Sequence, residues 1–226
     1  MKKTIASITL CIQTVFTCIT SPMNEWNSLL EANKKFIKNN SLVKQRRVLK
    51  NGQNPSVIIL SCSDSRVPPE LIFNQKLGSL FVVRIAGGVV DDVVTDSIEF
   101  AVRTFDVRLI VVLGHSDCGA VAGALKHLQK NGGIVDKSRK HLNAVLIPIE
   151  KAIIEEGIDV HGVHALEQSI QSNVKYVANQ LLSRSKTISD VCKAGHVILV
   201  GAEYLLNTGQ VKQLFSSAAA DIQQKL

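Results

Sequence analysis

The sequence predicts an α/β fold with a mostly parallel central β-sheet, about four parallel strands plus a possible antiparallel edge strand, flanked by helices. Short runs of apolar, often β-branched residues end in small polar residues, as buried parallel strands do. Segments with apolar residues at helical spacing separate these runs, so strands and helices alternate. The runs are residues 57–60, 77–84 (which opens with a turn), 109–113 and 197–200.

Helical spacing and turn residues predict the remaining elements. The first helix, residues 24–39, has Asn24 in the N-cap position and an apolar stripe that would pack on the domain or on a partner subunit. A polar segment follows it. The middle, residues 131–162, is expected to hold one or two helices. A turn at Thr208–Gly209 favours a short hairpin. The other helices are predicted at residues 95–104, 119–129 and 165–182, and the hairpin strands at 202–206 and 210–214.

Length and composition fit one globular domain, residues 24–226, after a leader. The chain has 226 residues, 46% hydrophobic and 20% charged, which is enough to bury a sizeable core. The formal net charge of +7 is scattered along the chain. Its densest basic groups have almost no aromatic residues between them that could stack on bases, so nucleic acid is not an expected partner.

The N-terminal stretch predicts a signal peptide. A Lys-Lys pair follows the first Met, and residues 5–19 are uncharged and rich in apolar residues, Ser and Thr. This run is too short and too weakly flanked for a stable membrane span. We therefore expect residues 1–20 to be removed and the protein to be periplasmic or secreted. Two alternatives stay open: cleavage with lipidation at Cys18, and translation from Met23 to give a cytoplasmic protein.

Two cysteines and a histidine directly follow predicted strands. Cys62 comes after the first run, and His115 and Cys118 come after the third. The carboxyl ends of parallel strands meet at one edge of a sheet, where open α/β folds build their sites. Two thiolates and an imidazole suffice for a catalytic zinc site, which keeps its fourth position open. Any one of them alone would fit an ordinary core, but their joint occurrence after two strands favours zinc.

The remaining cysteines and histidines predict no second centre. Cys192 has no closely spaced partner, and the chain lacks the even-numbered cysteine framework of small disulfide-linked domains. His161 and His164 would suit a metal pair or a proton shuttle by their spacing, but surface positions near a helix start fit them better. Asp117 is expected to cap the helix that follows it.

Asp64 and Arg66 stand two residues apart just after Cys62. On an irregular turn this spacing permits a direct carboxylate–guanidinium pair. An unpaired Asp64 would instead make a good fourth zinc ligand. We therefore expect two states: Asp64 lies on Arg66 when the site is active, and on zinc when the site is closed, with low pH favouring the closed state.

The sequence around Cys62, Asp64, Arg66, His115 and Cys118 resembles that of the β-class carbonic anhydrases. The two main stretches are CSDSR at 62–66 and HSDCG at 115–119. The resemblance runs from about residue 24 to residue 214. Supporting stretches are GQNP at 52–55, FVVR at 81–84, VGAEY at 200–204 and TGQV at 208–211.

The resemblance implies one zinc ion per subunit, held by Cys62, His115 and Cys118. The implied reaction is reversible hydration of carbon dioxide to bicarbonate and a proton by a zinc-bound hydroxide. Asp64 and Arg66 match the family's active-site dyad.

The resemblance also implies a substrate pocket and an oligomer. Gln53, Phe81 and the backbone amide of Gly119 fall where the family lines its pocket. Family members are usually dimers or tetramers with sites near subunit boundaries, so a homodimer or homotetramer is expected and a second chain would help complete each pocket. Some bacterial members bind inhibitory bicarbonate in a second pocket that needs a Trp where this chain has Ile59. Arg84 matches another residue of that pocket, but without the Trp we do not expect such regulation.

Two other functions stay open. The first is a related zinc hydrolase of carbonyl sulfide or carbon disulfide on the same scaffold, distinguished by a reshaped entrance. The second is a non-catalytic zinc- or bicarbonate-binding protein, which would lack the Asp–Arg dyad that this chain has.

Overall fold

The structure, a computed structural model, describes residues 22–217. The expected signal peptide, with Cys18, lies outside these residues and stays a prediction. Within the described range, no helix has both the length and the apolar character needed to cross a membrane. The chain divides into two compact units, with the boundary between Val48 and Leu49.

The first unit contains two helices where the sequence predicted one. Helix α1 spans Pro22–Lys38, and helix α2 spans Asn40–Leu49. The last residue of α2, Leu49, is the first residue beyond the unit boundary. Because α1 begins at Pro22, a residue suited to the first helical turn, Asn24 lies inside the helix and not at its N-cap. Arg46 of α2 donates to the carbonyl oxygen of Ile37 at 3.0 Å, and so satisfies a carbonyl at the end of α1.

The second unit is built on one five-stranded sheet, as predicted. Its strands lie in the order β2-β1-β3-β4-β5. The first four are parallel, and β5 pairs antiparallel with β4 at the edge. The strands are β1 (Val57–Cys62), β2 (Leu80–Ile85), β3 (Leu109–His115), β4 (Ile198–Tyr204) and β5 (Val211–Ser216).

Six helices and a short 3₁₀ turn, Ala86–Gly88, connect these strands in the described chain. Three predicted helices are found within two or three residues of their expected ends, and the middle segment holds a single helix, α6. Helix α8 was not predicted. The helices are α3 (Pro69–Ile72), α4 (Asp92–Thr104), α5 (Gly119–Lys130), α6 (Asn143–Glu155), α7 (Ala165–Arg184) and α8 (Lys186–Lys193).

The predicted hairpin is present, but its first strand continues the fourth run without a break. Strand β4 extends to Tyr204, and a β-bulge between Gly201 and Ala202 bends it beside β5. The ring of Phe215 lies on Gly201 so closely that a Cβ there would be 2.2 Å from the ring. Glycine at this position therefore lets the edge strand pack its aromatic residue against the sheet.

The central strands are buried on both faces. Ile58, Leu60 and Ile110 face one apolar core that includes α4, α7 and α8. Ile59 and Val111 face a second core on the other side. A third cluster, built mainly by α5 and α6, lies at the carboxyl edge of the sheet. This arrangement fixes β1 and β3 tightly and leaves their carboxyl ends to carry polar residues.

Candidate metal centre

The structure brings Cys62, His115 and Cys118 together. Their ligand atoms all lie within 4.8 Å of one another, and the side chains are 7%, 0% and 3% exposed. Cys62 ends β1 and His115 ends β3, and these strands pair in parallel with Ser61 beside Leu113. Cys118 follows three residues later, at the N-cap of α5. The proximity predicted from the strand ends is therefore present.

The hydrogen bonding of His115 leaves one ring nitrogen free to bind a metal. Its Nδ1 lies 2.9 Å from the carbonyl oxygen of Ser116, so Nδ1 carries the proton and donates it. Nε2 then has a lone pair, is buried, and has no hydrogen-bond partner within residues 22–217. A buried nitrogen without a partner carries a desolvation cost. A metal ion bound by Nε2 would relieve that cost.

The two thiols share a hydrogen bond and cannot both ionise easily. The bond with Cys118 lowers the pKa of Cys62, although burial opposes this. The same bond, together with burial, raises the pKa of Cys118 far above its ordinary value. Burial disfavours a charged His115, but the nearby Cys62 side chain and the bond to the Ser116 carbonyl outweigh this and raise its pKa. A divalent cation would allow both sulfurs to become thiolates.

Asp64 lies at the rim of the site and is held by Arg66. The guanidinium donates to both carboxylate oxygens, from Nε to Oδ1 at 2.9 Å and from Nη2 to Oδ2 at 2.7 Å. This pairing holds the pKa of Asp64 well below its usual range. Asp64 Oδ2 is 3.9 Å from His115 Nε2, so the carboxylate lies beside the free ring nitrogen. The predicted Asp–Arg pair is thus formed.

Two further contacts fix the turn that carries Asp64. Arg66 Nη2 also donates to the carbonyl oxygen of Asp117 at 3.2 Å, which links this turn to the one before α5. Arg84 on β2 donates to the carbonyl oxygens of Cys62 at 3.1 Å and Asp64 at 2.6 Å. Asp117 does not cap α5 as expected, because Cys118 occupies the N-cap position and Asp117 has a positive φ of 54°.

The predicted pocket residues lie in different places. Gly119 opens α5 directly beside Cys118, and its Cα faces open space. Gln53 precedes β1, and Phe81 lies near the start of β2 opposite Ile58. Cys62 is at the other end of β1, and a six-residue strand is about 16 Å long. Within one chain, therefore, Gln53 and Phe81 do not line the pocket around Cys62.

Sequence reasoning missed two groups that touch the site. The backbone N–H of Gly87 donates to Cys62 Sγ at 3.3 Å. Asn173 on α7 in turn donates from Nδ2 to the carbonyl oxygen of Gly87 at 2.8 Å. The paired glycines at 87 and 88 were the available signal for a close approach, and both have positive φ. Asn173 is 86 residues from Gly87 and had no local signal. His161 and His164 are exposed, as expected.

Comparisons with known proteins all point to one family. Residues 57–211 match the sequence model of the family described as carbonic anhydrase. Carbonic anhydrase 2 of Mycobacterium tuberculosis is 36% identical over 196 residues, 84% of this chain and 92% of that protein. A carbonic anhydrase of Mycolicibacterium smegmatis is 33% identical, over 85% of this chain and 93% of that protein.

Solved structures give the same result. A crystal structure of a tetrameric β-carbonic anhydrase from the fungus Sordaria macrospora superposes with a TM-score of 0.72 at 25% identity, covering 85% of this chain and 98% of that chain. The fold and its thiol–imidazole cluster thus define an enzyme of the carbonic anhydrase type. The chain belongs to the β-class of the carbonic anhydrase family, which confirms the resemblance.

Metal binding should release protons. The hydrogen bond between the two thiols lowers the pKa of Cys62 and raises that of Cys118, so we expect the metal-free pair to keep one proton near neutral pH. Binding of a divalent metal must then displace at least about one proton, and affinity should fall as the pH falls. Calorimetric zinc titrations in two buffers with different ionisation enthalpies would measure this number.

The control for that experiment is Cys192→Ser. Burial raises the pKa of Cys192 to about 11, and this thiol belongs to α8, far along the chain from the cluster. The variant should release the same number of protons as the unchanged protein. A zinc-binding enthalpy that is identical in both buffers would mean that no proton is released, and would contradict the expected proton on the thiol pair.

Proposed function

We propose that the protein catalyses the reversible hydration of carbon dioxide to bicarbonate and a proton, with one zinc ion held by Cys62, His115 and Cys118. One observation carries the proposal: the buried Nε2 of His115, which has no hydrogen-bond partner in the described part of the chain, lies within reach of both sulfurs and beside the Asp64 carboxylate. Two sulfurs and one imidazole nitrogen are a ligand set that suits zinc and leaves a fourth position open.

Zinc supplies a Lewis acid that lowers the pKa of a coordinated water towards about 7. The protein's own charges modify that effect. Two thiolates balance the charge of the ion, and so weaken its pull on water relative to three neutral imidazoles. Arg66 is paired with Asp64 at the rim of this cluster, and its positive charge opposes that loss.

Asp64 orients the reacting water in this proposal. Its carboxylate is ionised throughout the working pH range, because Arg66 holds its pKa low, so it can accept a hydrogen bond. Accepting that hydrogen leaves an oxygen lone pair free to face carbon dioxide. Asp64 released from Arg66 would instead be available as a fourth zinc ligand, which would close the site. The two parallel hydrogen bonds to Arg66 favour the open site, in which Asp64 stays on Arg66 and the fourth zinc position is free.

The first experiment is stopped-flow carbon dioxide hydration from about pH 6.5 to about pH 9, on protein of measured zinc content. Activity should track zinc content and rise with pH. Full zinc loading without hydration would overturn the proposal. Hydrolysis of carbonyl sulfide or carbon disulfide by the same sample would then identify the related hydrolase, and no turnover of any of these would indicate a non-catalytic zinc protein.

Arg66→Ala should keep zinc but lose at least about 100-fold in kcat, because Asp64 would no longer be held away from the metal. Arg108→Ala is the matched control. Arg108 also pairs with an Asp two residues away, Asp106, at 3.1 Å, but it precedes β3 at the end of the strand opposite His115. The control should keep full activity. Near-normal kcat in Arg66→Ala would exclude the gating role of Asp64.

We also propose that the protein works as a homodimer or homotetramer in which Gln53 and Phe81 of one copy complete the pocket of another. Two observations support this: these residues lie at the far end of β1 and β2 from Cys62 of the same chain, and the related Sordaria macrospora enzymes are tetrameric. Gly119, beside Cys118, would provide its backbone amide within the same chain.

Mixing two defective variants tests the shared pocket. Gln53→Ala should lower activity without unfolding, because Gln53 is exposed. Co-refolding it with Arg66→Ala should restore activity, because a mixed dimer has one site with both Gln53 and Arg66 intact. If each pocket used only its own chain, no mixture would exceed the average of the two variants, and that result would refute the arrangement.

A further inference from the structure

We propose that Asn173 is a positioning residue for the metal centre: through the Gly87 turn it holds a backbone N–H on the sulfur of Cys62. The inference rests on the proposed function, because Cys62 must bind the metal for this contact to matter. Asn173 is separate from the thiols, the imidazole and the Asp–Arg pair, and it acts on them only through Gly87.

The contact runs through two hydrogen bonds on either side of one glycine. Asn173 is 4% exposed, and its Nδ2 donates to the carbonyl oxygen of Gly87 at 2.8 Å. The N–H of the same glycine donates to Cys62 Sγ at 3.3 Å. Holding the carbonyl limits rotation about the Cα of Gly87, and so limits the direction in which its N–H points.

The turn needs such support because its own sequence is permissive. Gly87 and Gly88 have φ values of 70° and 63°. Glycine adopts these values easily, but it also adopts many others, so the residues alone do not hold the turn in one conformation. Packing leaves no room for a side chain at Gly87, because a Cβ there would lie 2.8 Å from Ile149 Cδ1 and 3.3 Å from Ala120 Cβ. This packing excludes a side chain, whereas the hydrogen bond from Asn173 fixes the orientation of the peptide.

The orientation of the Asn173 amide is determined by its surroundings. Its Oδ1 is buried and lacks a hydrogen-bond partner among the residues described. Rotating the amide would place Oδ1 against the Gly87 carbonyl, so that two acceptors would face each other. The residue therefore leaves one buried polar atom unsatisfied while it makes a single bond to Gly87. The unsatisfied Oδ1 costs stability, and a role for the Asn173–Gly87 bond in positioning the metal centre would explain why that cost is tolerated.

A hydrogen bond to a metal-binding thiolate orients the sulfur and withdraws charge from it. Contacts of this kind, outside the ligands themselves, typically alter metal affinity or activity by about 10–100-fold when they are removed. In a site where two thiolates offset the charge of the ion, drawing charge from one of them strengthens the ion as a Lewis acid. Asn173 would thus adjust the metal without touching it.

The test compares Asn173→Leu with Ser172→Ala. Leucine keeps the size of Asn173 and removes both its donor and its unsatisfied oxygen. Ser172, the next residue on the same helix, is also buried, and its Oγ donates to the carbonyl oxygen of Ala152 at 2.7 Å. Both variants lose one buried hydrogen bond made by α7, but only Asn173→Leu loses contact with Gly87.

Two readouts on the metal-loaded proteins separate positioning from folding. Zinc loss to an excess of chelator should be at least about tenfold faster in Asn173→Leu and unchanged in Ser172→Ala. In the cobalt-substituted proteins, the thiolate-to-cobalt charge-transfer band should shift in Asn173→Leu alone. Equal zinc-loss rates and equal bands in the two variants would overturn the inference.

A measurement on the unchanged sequence covers the case in which Asn173→Leu does not fold. In cadmium-113-substituted protein, the Gly87 amide proton should show scalar coupling to the metal through the hydrogen bond to Cys62. Absence of that coupling would overturn the inference. Absence of any thiolate-to-cobalt band in the unchanged protein would instead refute the proposed metal site itself, so the two failures are distinguishable.

Discussion

The parallel pairing of β1 with β3 is the constraint on which the site depends. It places Ser61 beside Leu113, so the chain leaves both strands at the same edge with Cys62 and His115 as their last residues. Side chains alternate between the two faces of a strand, so a shift of one residue in this pairing would turn one ligand away from the other. Because the strands are buried on both faces, the apolar cores oppose any such shift.

Charge balance explains how so many ionisable groups can share a buried edge. A divalent cation with two thiolates is neutral as a unit, and an interior position tolerates that unit better than isolated charges. Asp64 and Arg66 form a second neutral unit at the rim, where the Arg66 side chain is 51% exposed. In the proposed enzyme the more buried unit would hold the metal, and the more exposed unit would provide an acceptor whose protonation the surrounding pH hardly changes.

The sequence predicted the features that depend on neighbouring residues. The strands were predicted because apolar runs are local, and the grouping of Cys62, His115 and Cys118 was predicted because each follows the end of a run. Helix α2 was missed because its described residues are not buried, and so show little apolar pattern. Helix α8 was missed because only Ser185 separates it from α7. The Asn173–Gly87 contact was unpredictable for another reason: it joins segments that only the folded chain brings together.

The position of α7 late in the chain also bears on the order of synthesis. Residues 62, 115 and 118 are all synthesised before residue 173, and so before the helix whose Asn173 contacts Gly87 is complete. At typical elongation speeds the 55 residues between 118 and 173 take about 3–11 s to add. During that interval the thiols of Cys62 and Cys118 are present without their final enclosure. In the zinc enzyme proposed above, oxidants would therefore compete with zinc for the same pair of sulfurs at this stage.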